Sequence, residues 1–186
     1  MPLRADAQQN RDKILAAAEE VFSERGSTAS MNEVARHAGV GIGTLYRRFP
    51  TREDLLGAAY SARFTAFAED MQVRAEGADV LAALRSYLEE LVHHTTVYRG
   101  IATSLGMVLR TGTPGCIATT LVGQQLLKAA QDSGRVRTGI TFEDLVCLVM
   151  AISLCAEQNG NSHSRIAHLV TIFTDGITAG HQTDRA

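Results

Sequence analysis

Residues 30–54 read Ser-Met-Asn-Glu-Val-Ala-Arg-His-Ala-Gly-Val-Gly-Ile-Gly-Thr-Leu-Tyr-Arg-Arg-Phe-Pro-Thr-Arg-Glu-Asp, and this stretch decides the fold. Ser30 followed by Glu33 is a capping box, so a helix is predicted to begin at Met31. Val34, Ala35 and Ala38 share one face of that helix, and Gly39 stands where a left-handed residue ends a helix and turns the chain. A second helix is predicted from about Gly41, with Ile42, Leu45 and Phe49 at helical spacing as its apolar stripe. Gly43, Thr44, Tyr46, Arg47 and Arg48 are left facing outward. Pro50 stops this helix, and Thr51 with Asp54 forms a second capping box whose helix carries Arg52 in its first turn. Two short helices joined by a glycine turn make a helix-turn-helix.

The outward set has the chemistry of a duplex-reading surface. Gly43 has no side chain to hold the backbone away from a phosphate or base edge, and Thr44 and Tyr46 bring hydroxyls suited to phosphate oxygens. Arg47 and Arg48 offer planar forks for guanine edges or phosphates. From Val34 to Arg52 the chain carries Arg36, Arg47, Arg48 and Arg52 with no Asp or Glu. The whole-chain balance hides this, since 18 Lys+Arg stand against 20 Asp+Glu for a net charge of −2. Ile42, Gly43 and Arg47, with Asn32 from the supporting helix, are therefore expected at base edges. Ser30, Thr44, Tyr46, Arg48 and Arg52 are expected on the phosphate backbone. The alternative is a solvated arginine cluster on an ordinary helix pair.

Around this motif the pattern is helical throughout, with no strand-period alternation and no internal repeat. Asn10 is expected to cap a first helix that buries Ile14, Ala18, Val21 and Phe22 and ends at Gly26. One helix is expected from Thr51 to about Ala75, with Leu55, Ala59, Phe64, Phe67 and Met71 inward. Further helices are expected from Asp79 to about Tyr98, around Ile101 to Leu109, through Ile117 and Lys128 to near Gly134, over Phe142 to Gln158 and from Arg165 to about Ala179, with the turn Asn159-Gly160 before the last. A chain of 186 residues, 45% hydrophobic, has core enough to fold without disulfide or metal. Cys116, Cys147 and Cys155 lack paired spacing and read as reduced core thiols. The start of the chain has no apolar run resembling a secretion signal, and the longest apolar segment, Leu145 to Ala156, is too short for a membrane span. A cytoplasmic protein that binds no membrane is expected.

The penultimate helix is apolar nearly all round. Pairing it with the last helix, and both with the same pair from a second chain, gives a two-fold four-helix bundle and a homodimer; the alternative is a helix buried wholly within one chain's core. Leu145, Val149, Ile152, Ile166, Leu169, Val170, Phe173 and Ile177 are the candidate contact residues. Two reading helices about one DNA turn apart would then address a palindrome.

Ala35, Ala38-Gly39-Val40, Gly43-Thr44-Leu45-Tyr46, Phe49-Pro50, Arg52-Glu53 and Leu55, preceded by a helix over residues 10–26, closely resemble the amino-terminal domain of TetR-type transcriptional regulators. The likeness covers about the first sixty residues. Many members of that family carry Ser at the position of Gly41, His at Arg48 and Lys at Arg52, so charge is kept while base preference is open. The resemblance implies an all-α protein: a three-helix helix-turn-helix DNA-binding domain over residues 1–50, and a helical effector-binding and dimerisation domain over 51–186. It also implies a regulator, in the usual case a repressor, released from palindromic double-stranded DNA by a small-molecule effector, with no cofactor and no catalysis.

Such an effector is expected among the middle helices, where Phe67, Met71, Tyr87, Met107 and Met150 mix with His94, Gln124 and Cys147. The other reading of these residues is plain core. Two alternatives to the effector-released repressor remain at this point: a DNA-binding activator or organiser that needs no effector, and a helical-bundle metal enzyme. Glu90 and His93 have the Glu-x-x-His spacing of a metal-binding bundle, and Glu89/His93 and Glu90/His94 lie one turn apart. A second such pair, which a di-metal site needs, is absent from the sequence.

Overall fold

The computed structural model describes residues 2–97, 101–159 and 162–178. Among these the protein is all-α, with ten helices and one 3-10 turn. An isolated antiparallel bridge, Val136 to Thr178, ties the end of the last helix to the loop before the ninth. The expected helix ends at Tyr98 and Ala179 and the Gly160 break lie outside the described residues.

Helix α1 (Pro2–Arg25) starts earlier than Asn10, because proline is tolerated in a first turn and the Gln8 amide donates to Asp12 one turn on, at 2.8 Å. It buries Ile14, Ala18, Val21 and Phe22 as expected, and the chain turns at Gly26, whose φ is +57°. The capping box at Ser30 opens α2 (Met31–His37). Gly39, at φ +66°, ends it with a pair of bonds, Val40 N–H to Ala35 O at 3.0 Å and Gly39 N–H to Arg36 O at 3.2 Å. Helix α3 (Ile42–Arg48) then packs against α2 through the fully buried Leu45, with Phe49 just beyond its end. Ile42 departs from the expected stripe. It lies in the first turn, beyond the buried contact, and is 38% exposed.

The single helix expected from Thr51 to Ala75 is two, α4 (Arg52–Ala59) and α5 (Ser61–Ala75), broken at Tyr60. No glycine or proline marks this break. Tertiary contact makes it: the segment following α7 (Leu105–Leu109) and opening α8 (Pro114–Asp132) presses into the junction. A Cβ on Gly115 would lie 2.0 Å from the Ser61 carbonyl oxygen, and the Gly115 N–H donates to the Ser61 hydroxyl at 3.1 Å. The inward residues Leu55, Ala59, Phe64, Phe67 and Met71 are all buried nonetheless.

Helix α6 (Val80–Val97) runs through the middle of the body, against α5, α8, α9 (Phe142–Asn159) and α10 (His163–Ile177). Its N-terminus is held by Asp79, whose carboxylate accepts from the Leu81 and Ala82 N–H groups at 3.1 Å. Helix α8 turns a small-residue face to α5 and α6, burying Gly115, Cys116, Thr119 and Gly123. The Phe142 and Tyr87 rings leave no room at Gly123, where a Cβ would stand 2.4 Å from the Phe142 ring and 2.6 Å from the Tyr87 hydroxyl. Ile117 and Leu121 consequently face outward, about half exposed.

The expected dimer residues need correction. Leu145, Val149, Ile152, Ile166, Val170 and Ile177 are buried within this one chain, because α9 and α10 press them onto α6 and onto each other. Leu169 and Phe173 are half-buried. The outer side of the pair shows Cys147, Leu148, Ala151, Leu154, Cys155 and Ile172 instead. Cys147 and Cys155 are thus exposed rather than core thiols, and only Cys116 is buried.

Candidate nucleic-acid interface and cavity

The outward surface of α2 and α3 is built by local signals. Ser30 Oγ accepts from the Glu33 N–H at 3.2 Å, and the Glu33 carboxylate accepts from the Ser30 N–H at 3.0 Å. These bonds hold the Glu33 carboxyl below the usual carboxylate range, chiefly through the Ser30 backbone N–H. Ser30 is therefore engaged in capping, and its hydroxyl also donates to Glu33 at 3.0 Å. Helix α3 has no side-chain cap at Gly41, and the Gly41 carbonyl accepts from the Thr44 N–H at 2.9 Å.

Asn32, Ile42, Gly43, Tyr46, Arg47 and Arg48 are exposed on this surface, and Thr44 is half-buried. A Cβ built on Gly43 meets nothing within 4 Å, so the backbone there is open to a close approach. Arg36, which the sequence placed in the acid-free run without a role, is exposed on α2 beside this set. The result is an exposed cationic strip with hydroxyls at Thr44 and Tyr46 and an uncovered backbone at Gly43. Such a strip can accept phosphates and present guanidinium forks to base edges.

Arg52 does not join that strip as expected. Its guanidinium turns back onto α1, donating to the Gly26 carbonyl at 3.0 Å and stacking over the Phe22 ring with 4.9 Å to the centroid. Burial lowers its pKa from the ordinary guanidinium value. The residue locks the end of α1 to the start of α4.

The expected ligand residues divide into two groups. Phe67, Met71 and Tyr87 form closed core between α5 and α6, with the half-buried His94 beside them; the Phe67 ring centroid is 5.4 Å from that of Tyr87 and 4.9 Å from that of His94. Tyr87 donates to the Thr119 carbonyl at 2.9 Å, and desolvation drives its phenol pKa upward. Burial likewise pulls His94 below the ordinary imidazole value. Met107, Gln124, Cys147 and Met150 instead line a cavity of about 280 Å³ between α7, α8 and α9. Ser104 and Thr120 line it too and were missed. Their only sequence signal was helical spacing, Ser104 three residues before Met107 and Thr120 four before Gln124.

Helix α7 also packs against α4. A Cβ on Gly57 would lie 2.3 Å from Thr111 Oγ1, and Thr113 donates to the Gly57 carbonyl at 3.3 Å. A wall of the cavity is thus coupled to the helix that Arg52 fastens to α1. Glu90 pairs with Arg74 at 3.3 Å, and His93 stacks edge-on against His163 with centroids 4.6 Å apart. Among the described residues no group of three or more His, Cys, Asp or Glu is placed to hold a metal. Nor is any described helix long and apolar enough to cross a membrane.

Comparison with known proteins places these features. The family model of bacterial regulatory proteins of the tetR family matches residues 14–59, and that of the SbtR-like transcriptional regulator C-terminal domain matches residues 79–179. An HTH-type transcriptional regulator of Staphylococcus aureus (strain USA300) is 44% identical over 54 residues, 28% of this chain and 29% of that protein. The match therefore spans under a third of the curated relative's length. A solved TetR transcriptional regulator of Streptomyces coelicolor is 32% identical, with 91% of this chain and 98% of that chain covered and a TM-score of 0.51. RolR, solved with resorcinol, has the same fold at 21% identity, with 91% and 89% covered and a TM-score of 0.64. On the helix-turn-helix, the all-helical body and these matches along both, the chain belongs to the TetR family of bacterial transcriptional regulators.

Proposed function

We propose that this chain is a DNA-binding transcriptional regulator that grips a palindromic operator as a homodimer and lets go when a small molecule occupies its helical body. The observation that carries this is the exposed surface of the run from Val34 to Arg48, which holds no Asp or Glu, with Arg36, Arg47 and Arg48 around the uncovered backbone of Gly43. Asn32, Ile42, Gly43 and Arg47 address base edges; Thr44, Tyr46 and Arg48 hold phosphates. Ser30 and Arg52 act from behind, fixing the two ends of the motif.

One short helix makes few base contacts, so selectivity calls for two. The uncharged outer side of α9, with Leu148, Ala151 and Leu154, and Ile172 and Phe173 of α10 supply the surface on which a second copy would close. A molecule held between α7, α8 and α9 would bias the position of α7, and with it α4, by favouring one dimer geometry over another. RolR carries resorcinol in a body of the same fold, which supports a ligand-responsive body here.

Selection of bound sequences from random duplex DNA tests the proposal. A palindrome with half-sites about one helical turn apart, roughly 34–36 Å, is the expected product. Recovery of no enriched sequence would overturn it.

A further inference from the structure

The cavity between α7, α8 and α9 contains two polar atoms whose satisfaction inside the protein is missing. Ser104 Oγ and Thr120 Oγ1 are both buried, neither has a hydrogen-bond partner among the described residues, and both residues line this cavity. Ser104 as a whole is 9% exposed. A buried hydroxyl without a partner is unfavourable, and Thr120 lies within a helix where such a hydroxyl commonly bonds back to the preceding turn. The remaining walls are chiefly apolar, with Met107, Phe142, Val146 and Met150 among them. The two charged residues of the lining, Arg110 and Glu143, are exposed and of opposite sign.

We infer that the cavity takes a compact, neutral, amphipathic molecule whose hydroxyl or carbonyl group meets Ser104 and Thr120 while an apolar body lies against the methionines. A void of about 280 Å³ has room for a molecule of two fused rings. The opposite charges of the lining offset each other, so a carboxylate gains little. Each threonine or serine hydroxyl both donates and accepts, so the pair recognises an alcohol, a phenol or a ketone alike. The inference rests on the proposed effector site but has its own test.

The probes are 2-naphthol, naphthalene and 2-naphthoate, titrated against the full chain. The protein has no tryptophan, so naphthol emission is read without indole background. The wild-type chain is expected to bind 2-naphthol at least about tenfold more tightly than naphthalene, and more tightly than 2-naphthoate. Ser104→Ala and Thr120→Val are each expected to weaken 2-naphthol about five- to tenfold and to leave naphthalene unchanged, so that in the double variant the preference disappears. The inference is overturned if 2-naphthol does not bind, if 2-naphthoate binds best, or if the hydroxyl preference survives in the double variant. Binding is measured without DNA, so a chain that selects an operator yet ignores every probe refutes this inference alone. A chain that binds 2-naphthol as described yet selects no DNA supports it and refutes the regulator reading.

Discussion

Replacing Arg52 with alanine distinguishes a strut from a phosphate contact. In the structure the guanidinium donates to the Gly26 carbonyl at 3.0 Å and covers the Phe22 ring at 4.9 Å. A hydrogen bond from a charged donor contributes about 1.5–3 kcal/mol, and a cation over an aromatic ring at a partly exposed site about 0.5–1 kcal/mol. Arg52 is only half-buried, so the lower part of that range applies, and Arg52→Ala is expected to destabilise the chain by about 2–3 kcal/mol. For a protein of this size the corresponding fall in Tm is about 5–10 °C. Calorimetry or urea unfolding measures the loss. Anisotropy titration of a selected operator at several salt concentrations measures the other half: the slope of log affinity against log salt is expected to match wild type for the folded variant. A phosphate contact would behave differently, leaving stability intact and flattening the slope by about 0.9 for each bound protomer. That pattern would refute the placement of Arg52.

Gly43→Ala is expected to raise stability by up to about 1 kcal/mol, since alanine is the better helix former and its Cβ meets nothing, yet to weaken operator binding; thermal melts and gel shifts read the two effects. Arg47→Ala is expected to cost about 1–3 kcal/mol of discrimination at one base position, seen by repeating the sequence selection with the variant. Ser30→Ala removes the α2 cap and is expected to lower stability by about 1 kcal/mol in urea unfolding. Glu33 titrates below its ordinary value when folded, so its contribution is present above that value and is lost as pH falls through the folded one. The stability gap between wild type and Glu33→Gln is therefore expected to close in acid. Gly115→Val drives side-chain atoms into the Ser61 carbonyl and is expected to cost more than about 3 kcal/mol or to abolish folding, whereas Gly139→Val, at a site with nothing within 4 Å, is expected to be mild.

The motif was legible because its signals are local. Ser30 with Glu33, Gly39, and Thr51 with Asp54 each act within one turn of chain, and each forms the cap or turn its spacing implies. Features set by distant partners were not legible. The break at Tyr60 is made by Gly115, more than fifty residues away, and the inward face of α8 is its small-residue face because α5 and Tyr87 approach so closely. Helix α9 is apolar on both sides, so periodicity alone does not say which side meets α6 and which stays outside. Leu145, Val149 and Ile152 took the inner place. Arg52 misled for a related reason: a guanidinium fork suits a phosphate and a backbone carbonyl equally well, and its choice of Gly26 depends on how α1 ends. Phe67, Met71 and Tyr87, expected at the ligand site, fill the core with the half-buried His94 beside them, since aromatic and polar side chains mix in both settings, while Ser104 and Thr120 became visible only as buried hydroxyls with no partner among the described residues.

The most direct measurement is an equilibrium titration of the wild-type chain and the Arg47→Ala/Arg48→Ala variant with the selected duplex and with a scrambled duplex of equal length. Two protomers per duplex, a strong preference for the selected sequence and its loss in the variant are expected. Equal binding of both duplexes by the wild-type chain, or full preference retained without the two arginines, would contradict the assignment of the α2–α3 surface as the DNA reader.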